Sequence, residues 1–227
     1  MNPRLRRLNA IALAVTLTYA LAAVQLVSKK TIVSPVVDAI FVYVTSAGFY
    51  KLIVDVLFRA VASSQILMRI YWGRLHIAGL WSYVYTVDGS PDKTIFFGVW
   101  RFEQNLYGTL VVGFGLTDDF QVRSHVRSVT DLLENGKVCE LVNVRTDSVD
   151  SRSEYYSRTT MFFELSRSRM FRRPDRMRGK TYVYGGPLTG RICTNSFLRH
   201  NDARTEQDVI KKIRANVQSH GQIHPDP

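Results

Sequence analysis

The sequence predicts a two-helix transmembrane hairpin followed by an all-β, eight-stranded antiparallel up-and-down barrel with a C-terminal surface helix. Three observations carry this expectation. Residues 8–27 contain no charged side chain, and at about 1.5 Å rise per residue such a run crosses a hydrocarbon core about 30 Å thick. A second apolar stretch follows within a few residues. From Ile77 onward the hydrophobic period changes from helical to two, as in strands with one buried face.

The first span covers about residues 8–28. Arg4, Arg6 and Arg7 ahead of it would also suit the n-region of a signal peptide. Its apolar run exceeds a usual h-region, however, and a second segment begins after Lys29, Lys30 and Pro35, so a helical hairpin is the better reading. That second span, about residues 36–58, is interrupted by Asp38, Lys51 and Asp55. Lys51, Asp55 and Arg59 recur at a spacing of four and share one helical face, where Lys51 and Asp55 can pair. A charge at mid-bilayer costs about 2.5–3.5 kcal/mol. The stripe therefore either snorkels to headgroups at a membrane end or faces other helices of an oligomer or a water-filled path.

Arginines precede the first span, and Arg59, Arg69 and Arg74 follow the second, against Lys29 and Lys30 between them. The positive-inside rule puts both ends in the cytoplasm. The helix is expected to continue through Gln65 and Met68 to Trp72, with no flexible linker after it. The predicted domains are residues 1–74, the hairpin, and 75–227, the barrel with its helix.

Strands are expected at residues 77–86, 94–104, 106–116, 121–131, 137–145, 154–166, 177–185 and 189–198. Turn-forming runs separate them, such as Asp88-Gly89-Ser90-Pro91, Glu134-Asn135-Gly136 and Gly185-Gly186-Pro187. Short hairpins at near-regular spacing argue a meander, and eight such strands close into a barrel that holds side chains or one small ligand. Residues 203–218 place Val209, Ile210, Ile213 and Val217 at helical spacing, with Asn201 or Asp202 as the cap.

The chain has 227 residues and a formal net charge of +11. The hairpin and the remainder are both basic, as suits an anionic inner leaflet or a phosphate-bearing ligand. Cys139 and Cys193 lack metal-site spacing and read as reduced core residues of a cytosolic domain.

No nucleophile elbow, metalloprotease helix, P-loop or dinucleotide fingerprint is present, and the histidines are scattered. The expectation is a protein that is not an enzyme, with no metal and no cofactor. Gly113-Phe114-Gly115 lies within a strand pattern and marks a bend rather than a phosphate loop. Trp81, Tyr83 and Tyr85 alternate onto one face of the first strand, and Gly98, Trp100 and Phe102 onto one face of the second. These aromatics either fill a core or offer stacking platforms. Arg123, His125 and Arg127 share a face opposite Val122, Ser124 and Val126, and that face is either solvated or contacts phosphates at the barrel mouth. The sixth-to-seventh connection carries Arg167, Arg169, Arg172, Arg173, Arg176 and Arg178, with Met170 and Phe171 interleaved. It suits anionic lipid headgroups, or a loop closing over an anionic ligand. Arg191 is expected to stack on an aromatic of the first strand.

Gly79-Leu80-Trp81 resembles the G-x-W signature of lipocalin-like barrels. Joined to a two-helix membrane hairpin and an eight-strand meander, the chain resembles the membrane-associated β-barrel effectors of bacterial cyclic-oligonucleotide anti-phage signalling (CBASS). The resemblance implies a multi-pass protein of the bacterial inner membrane, with its N-terminus and barrel cytoplasmic. It also implies that the barrel binds a cyclic dinucleotide as activating ligand. The hairpins then form a homo-oligomer that disrupts the membrane and arrests or kills the cell, with inner-membrane lipids as partners and no nucleic-acid polymer. Strand alternation nominates Tyr83, Trp100 and Tyr182 for base stacking and Arg123, Arg127 and Arg158 for phosphates. Lys51, Asp55 and Arg59 are the candidates for transmembrane assembly. Two rivals are a membrane-tethered lipid or fatty-acyl carrier with a dry lumen, and a scaffold with a filled barrel that works through protein contacts.

Overall fold

The structure, a computed structural model, describes residues 3–28, 34–89, 95–132, 138–147, 154–162, 174–184 and 188–220. It divides into two compact units, Met1–Trp72 and Gly73–Pro227.

The first unit contains α1 (Pro3–Ser28) and α2 (Pro35–Ser63). Within them, Leu5–Leu26 and Val36–Ser63 are long and apolar enough to cross a bilayer. Polar side chains inside these helices satisfy themselves locally: Thr16 and Thr18 donate to Ala12 O and Ala14 O at 2.8 and 3.0 Å. Ser34 caps α2 by accepting the Val37 N–H at 3.3 Å, and Pro35 occupies the first turn, where its missing N–H costs nothing. The helices meet where Tyr50 donates to Asn9 Oδ1 (2.9 Å) and where Tyr19 stacks on Phe49 (4.3 Å).

The continuous helix expected through Trp72 is interrupted. Ser64 adopts an extended conformation (φ −109°, ψ 117°) and ends α2. Its hydroxyl accepts the Leu67 N–H at 3.3 Å and starts a separate helix, α3 (Gln65–Trp72). Serine competes well for that capping role, which hydropathy alone does not register.

The second unit starts with a 3-10 turn, Gly73–Leu75. Its strands are β1 (Gly79–Val87), β2 (Ile95–Gln104), β3 (Thr109–Leu116), β4 (Val122–Leu132), β5 (Val138–Asp147), β6 (Glu154–Phe162), β7 (Arg176–Val183) and β8 (Ile192–Arg199). Consecutive strands pair antiparallel, and β8 pairs with β1, so they form an antiparallel barrel sheet. The near end is the one at which the chain joins β1; the far end carries the β1–β2 and β3–β4 turns. Residues 167–173 of the arginine-rich connection lie outside the described residues.

The outer core sits under α4 (Glu206–His220). Val209, Ile210 and Ile213 pack on Leu80, Val99 and Leu116, with Phe97, Phe114 and Phe120 around them. Each buried aliphatic side chain there contributes about 1.5–3 kcal/mol. The cap is Thr205, not Asn201 or Asp202. Thr205 Oγ1 accepts the Asp208 N–H at 3.2 Å, while the Asp208 carboxylate accepts the Thr205 and Arg204 N–H groups at 2.9 and 3.0 Å. This reciprocal box satisfies more orphan donors than a lone upstream side chain, and Asp202 instead pairs with Lys212.

Candidate functional site: the barrel interior and its far rim

Alternation along the strands sends Trp81, Tyr83 and Tyr85 of β1 inward together with Gly98, Trp100 and Phe102 of β2. The rings need the glycines. Tyr83 lies so close over Gly98 that a Cβ there would stand 2.2 Å from its Cε1, and Trp100 occupies the space that a Cβ on Gly113 would need, 2.5 Å from its Cδ1. Gly113 is thus a seat for an indole within a continuous strand, in keeping with the rejection of a phosphate loop. Tyr83, Trp100 and Phe197 form a cluster with centroids 5.0 to 6.0 Å apart. A polar cluster lies among the apolar side chains of the β6–β8 side of the interior: Thr181 Oγ1 lies 2.7 Å from Thr159 Oγ1 and accepts from Asn195 Nδ2 at 2.6 Å. Among the described residues the buried Trp100 Nε1–H has no hydrogen-bond partner, and Cys193 is buried in the interior. Cys139 falls among side chains outside the description.

The near end is sealed by side chains from several strands. Trp81 Nε1 donates to Ile77 O at 2.9 Å, and Arg199 lies over the Trp81 ring at 5.7 Å. Arg199 also donates to His76 O at 3.2 Å and to Ala78 O. Gln104 Oε1 accepts the Ile77 and Ala78 N–H groups, and its Nε2 donates to Leu75 O, all at 2.9–3.0 Å. The arginine that stacks on the first strand is therefore Arg199, whereas Arg191 is exposed. A cation at the end of β8 reaches Trp81 because Trp81 and Arg199 are partners in register, a pairing that only the sheet reveals. Outside this seal a shallow cleft of about 460 Å³ runs past Arg101, Glu103, His200 and Arg204. Arg101 is engaged with Glu206 at 2.6 Å and His200 with Ser82 at 2.8 Å, so much of its polarity serves packing.

The far rim is different. Tyr85 stacks on Phe96 at 4.7 Å, and the Arg123 guanidinium lies 5.7 Å from the Phe96 centroid. Between Gly115 and Leu116 the β3–β4 register slips, so Leu116 partners Val122 and Gly115 partners Ser124, leaving Arg123 as the extra residue. Such a bulge re-aims a side chain. Arg123 consequently departs from the face of His125 and Arg127, which are exposed, and Val122 departs from buried Ser124 and Val126.

Of the nominated residues, Tyr83 and Trp100 come together. Arg158 and Tyr182 are register partners, but on the outward side of β6 and β7 and exposed, and Arg127 is exposed beside Val112. They do not converge with Tyr83 and Trp100. Tyr85 and Phe96 join Arg123 at the rim; Tyr85 was legible as the next inward residue after Tyr83, Phe96 as the one before Gly98. Lys51, Asp55 and Arg59 are exposed on α2, and among the described residues they form no ion pair. No described group of His, Cys, Asp or Glu is arranged to hold a metal. In comparisons with known proteins, no family model and no curated protein matches the chain.

Proposed function

We propose that the chain is a non-enzymatic membrane effector of the cyclic-oligonucleotide anti-phage type, whose closed, lipocalin-like barrel receives a cyclic dinucleotide at its far rim. The observation that carries the reading is the rim itself, an aromatic pair, Tyr85 and Phe96, with the Arg123 cation over it. A cyclic dinucleotide offers flat bases to such rings, with stacking worth about 1–3 kcal/mol each, and phosphates to a guanidinium. Tyr83 and Trp100 floor the site, and Thr159, Thr181 and Asn195 supply polar edges. Binding favours assembly only through tighter affinity for the assembled state. The exposed Lys51/Asp55/Arg59 stripe is self-complementary in sign and would pair between copies in the bilayer of the inner membrane, where an unpaired charge is costly.

A second reading, the filled scaffold, draws on the near half of the interior, where Trp81, Phe102, Met161 and Met177 are almost completely buried. The same packing counts against a carrier with a dry, through-going lumen.

Calorimetric titration of the detergent-solubilised full chain with a panel of cyclic di- and trinucleotides separates these readings. Saturable binding to one member is expected, weakened about tenfold by Arg123→Gln and by Tyr85→Ala. No heat with any member removes the receptor reading and leaves the scaffold.

A further inference from the structure

Just past the second span the chain carries an apolar face that neither the hairpin nor ligand capture uses. The span Val36–Ser63 has 28 residues, so at about 1.5 Å rise each it is about 42 Å long, enough to carry its end through the hydrocarbon to headgroup level. α3 starts there. Ser64, extended between the two helices, takes α3 off the α2 axis, and its hydroxyl caps the new helix. On α3, Ile66 and Ile70 stand one turn apart and are 69% and 56% exposed, with Leu67 beside them at 38%. The other apolar side is used differently: Trp72 is buried, and Tyr71 meets its ring edge-on at 5.9 Å. Gln65 and Arg69 form an exposed polar strip between the Trp72 and Ile66 sides. A helix of 8 residues is too short to persist in water on propensity alone, so the isoleucine side needs a surface of its own.

We infer that α3 is an interfacial helix, with its Ile66/Ile70 side seated in the acyl boundary of the leaflet at which α2 ends. Lipid is the occupant because of continuity: Ile66 stands three residues past Ser63, the last residue of the span, and belongs to the same compact unit. Lipid within reach of the span's end covers this side without any further partner. Arg69 is the one cation on the helix, which makes the contact an apolar insertion rather than a charge-driven one. Tyrosine and tryptophan at the end of α3 are the residue types that mark such a boundary. The inference rests on the reading of α1 and α2 as membrane spans.

The test is photocrosslinking of the full chain in phosphatidylcholine nanodiscs, with p-benzoylphenylalanine placed singly at Ile66, Ile70, Gln65 or Leu17 and adducts read by mass. Lipid adducts at Ile66 and Ile70 are expected at about threefold the yield at Gln65, unchanged between about 0.1 and 1 M salt because the contact is apolar. Leu17, exposed in the middle of α1, reports the span itself. Lipid adducts at Leu17 with none at Ile66 and Ile70 overturn the inference while leaving the spans intact. Adducts from Ile66 and Ile70 to a second copy, or to another part of the same chain, also overturn it. No lipid adduct at Leu17 overturns the membrane reading, and this inference with it. If the bulky label keeps α3 from forming, Ile66→Ser with Ile70→Ser supplies a second measurement: amide exchange of residues 67–71 in the discs should quicken about tenfold. Unchanged exchange in that variant overturns the inference.

Discussion

Gly98→Ala is the sharpest probe of the interior. The added Cβ would lie 2.2 and 2.3 Å from Tyr83 Cε1 and Cζ and 2.5 Å from the Phe114 carbonyl oxygen. Relief requires more than an ångström of ring movement, since ordinary contact begins near 3.4 Å. Tyr83 has little room to give, being hemmed by Trp100 at 5.0 Å and by Tyr85 and Phe197 at 6.0 Å. Overpacking costs about 1–3 kcal/mol where neighbours can adjust, so about 3 kcal/mol is expected here. At roughly 2–4 °C per kcal/mol for a chain of this size, Tm should fall by about 6–12 °C. The assay is thermal unfolding of the full chain in detergent, followed by near-ultraviolet circular dichroism. Tyr83→Ala should itself cost about 3–5 kcal/mol, but in that background Gly98→Ala should cost about 1–2 kcal/mol less than in the wild type. A Tm for Gly98→Ala within about 2 °C of wild type, or strict additivity in the double variant, would refute the seating of the ring on the glycine.

Two further outcomes are expected. Burial, and secondarily the Lys212 charge, hold the His200 imidazole below its ordinary pKa, with Asp202 partly opposing. The unfolded chain therefore takes up the proton first: the stabilisation is complete above about pH 6.5 and is lost as pH falls below it, so urea midpoints should drop from about pH 7.5 to 5 and His200→Gln should flatten the profile. In the α2 stripe, Asp55→Lys should abolish crosslinked oligomers in membranes, and Lys51→Asp with Asp55→Lys should restore them; loss in both variants would exclude pairing between copies.

Much of the architecture was legible because it follows from period and length. The charge-free run ahead of Lys29 and the alternation Trp81, Tyr83, Tyr85 leave few alternatives, and the apolar spacing of Val209, Ile210 and Ile213 placed α4. Two kinds of information were hidden. One is competition at a single residue, as when Ser64 terminates one helix and caps the next. The other is register: the slip beside Leu116 turns Arg123 away from Arg127, and strict alternation has no means of anticipating an inserted residue. Arg158 and Tyr182 were nominated without knowing which face of β6 and β7 pointed inward; their exposure follows from the inward positions of Thr159 and Thr181. Arg199 was overlooked for the same reason, since its partner Trp81 lies more than a hundred residues earlier in the chain.

The sealed near end has a mechanical consequence. Backbone groups of Leu75, His76, Ile77 and Ala78 are gripped by side chains from β1, β2 and β8, so this short stretch is welded to the sheet and cannot act as a swivel. The nearest backbone position suited to pivoting is Gly73, in the left-handed region at φ 54°. Torque raised in the strands would reach Leu75 without slack and be released at Gly73, so alanine there, disfavoured at a positive φ, would stiffen the pivot and couple the strands more tightly to the chain ahead of it.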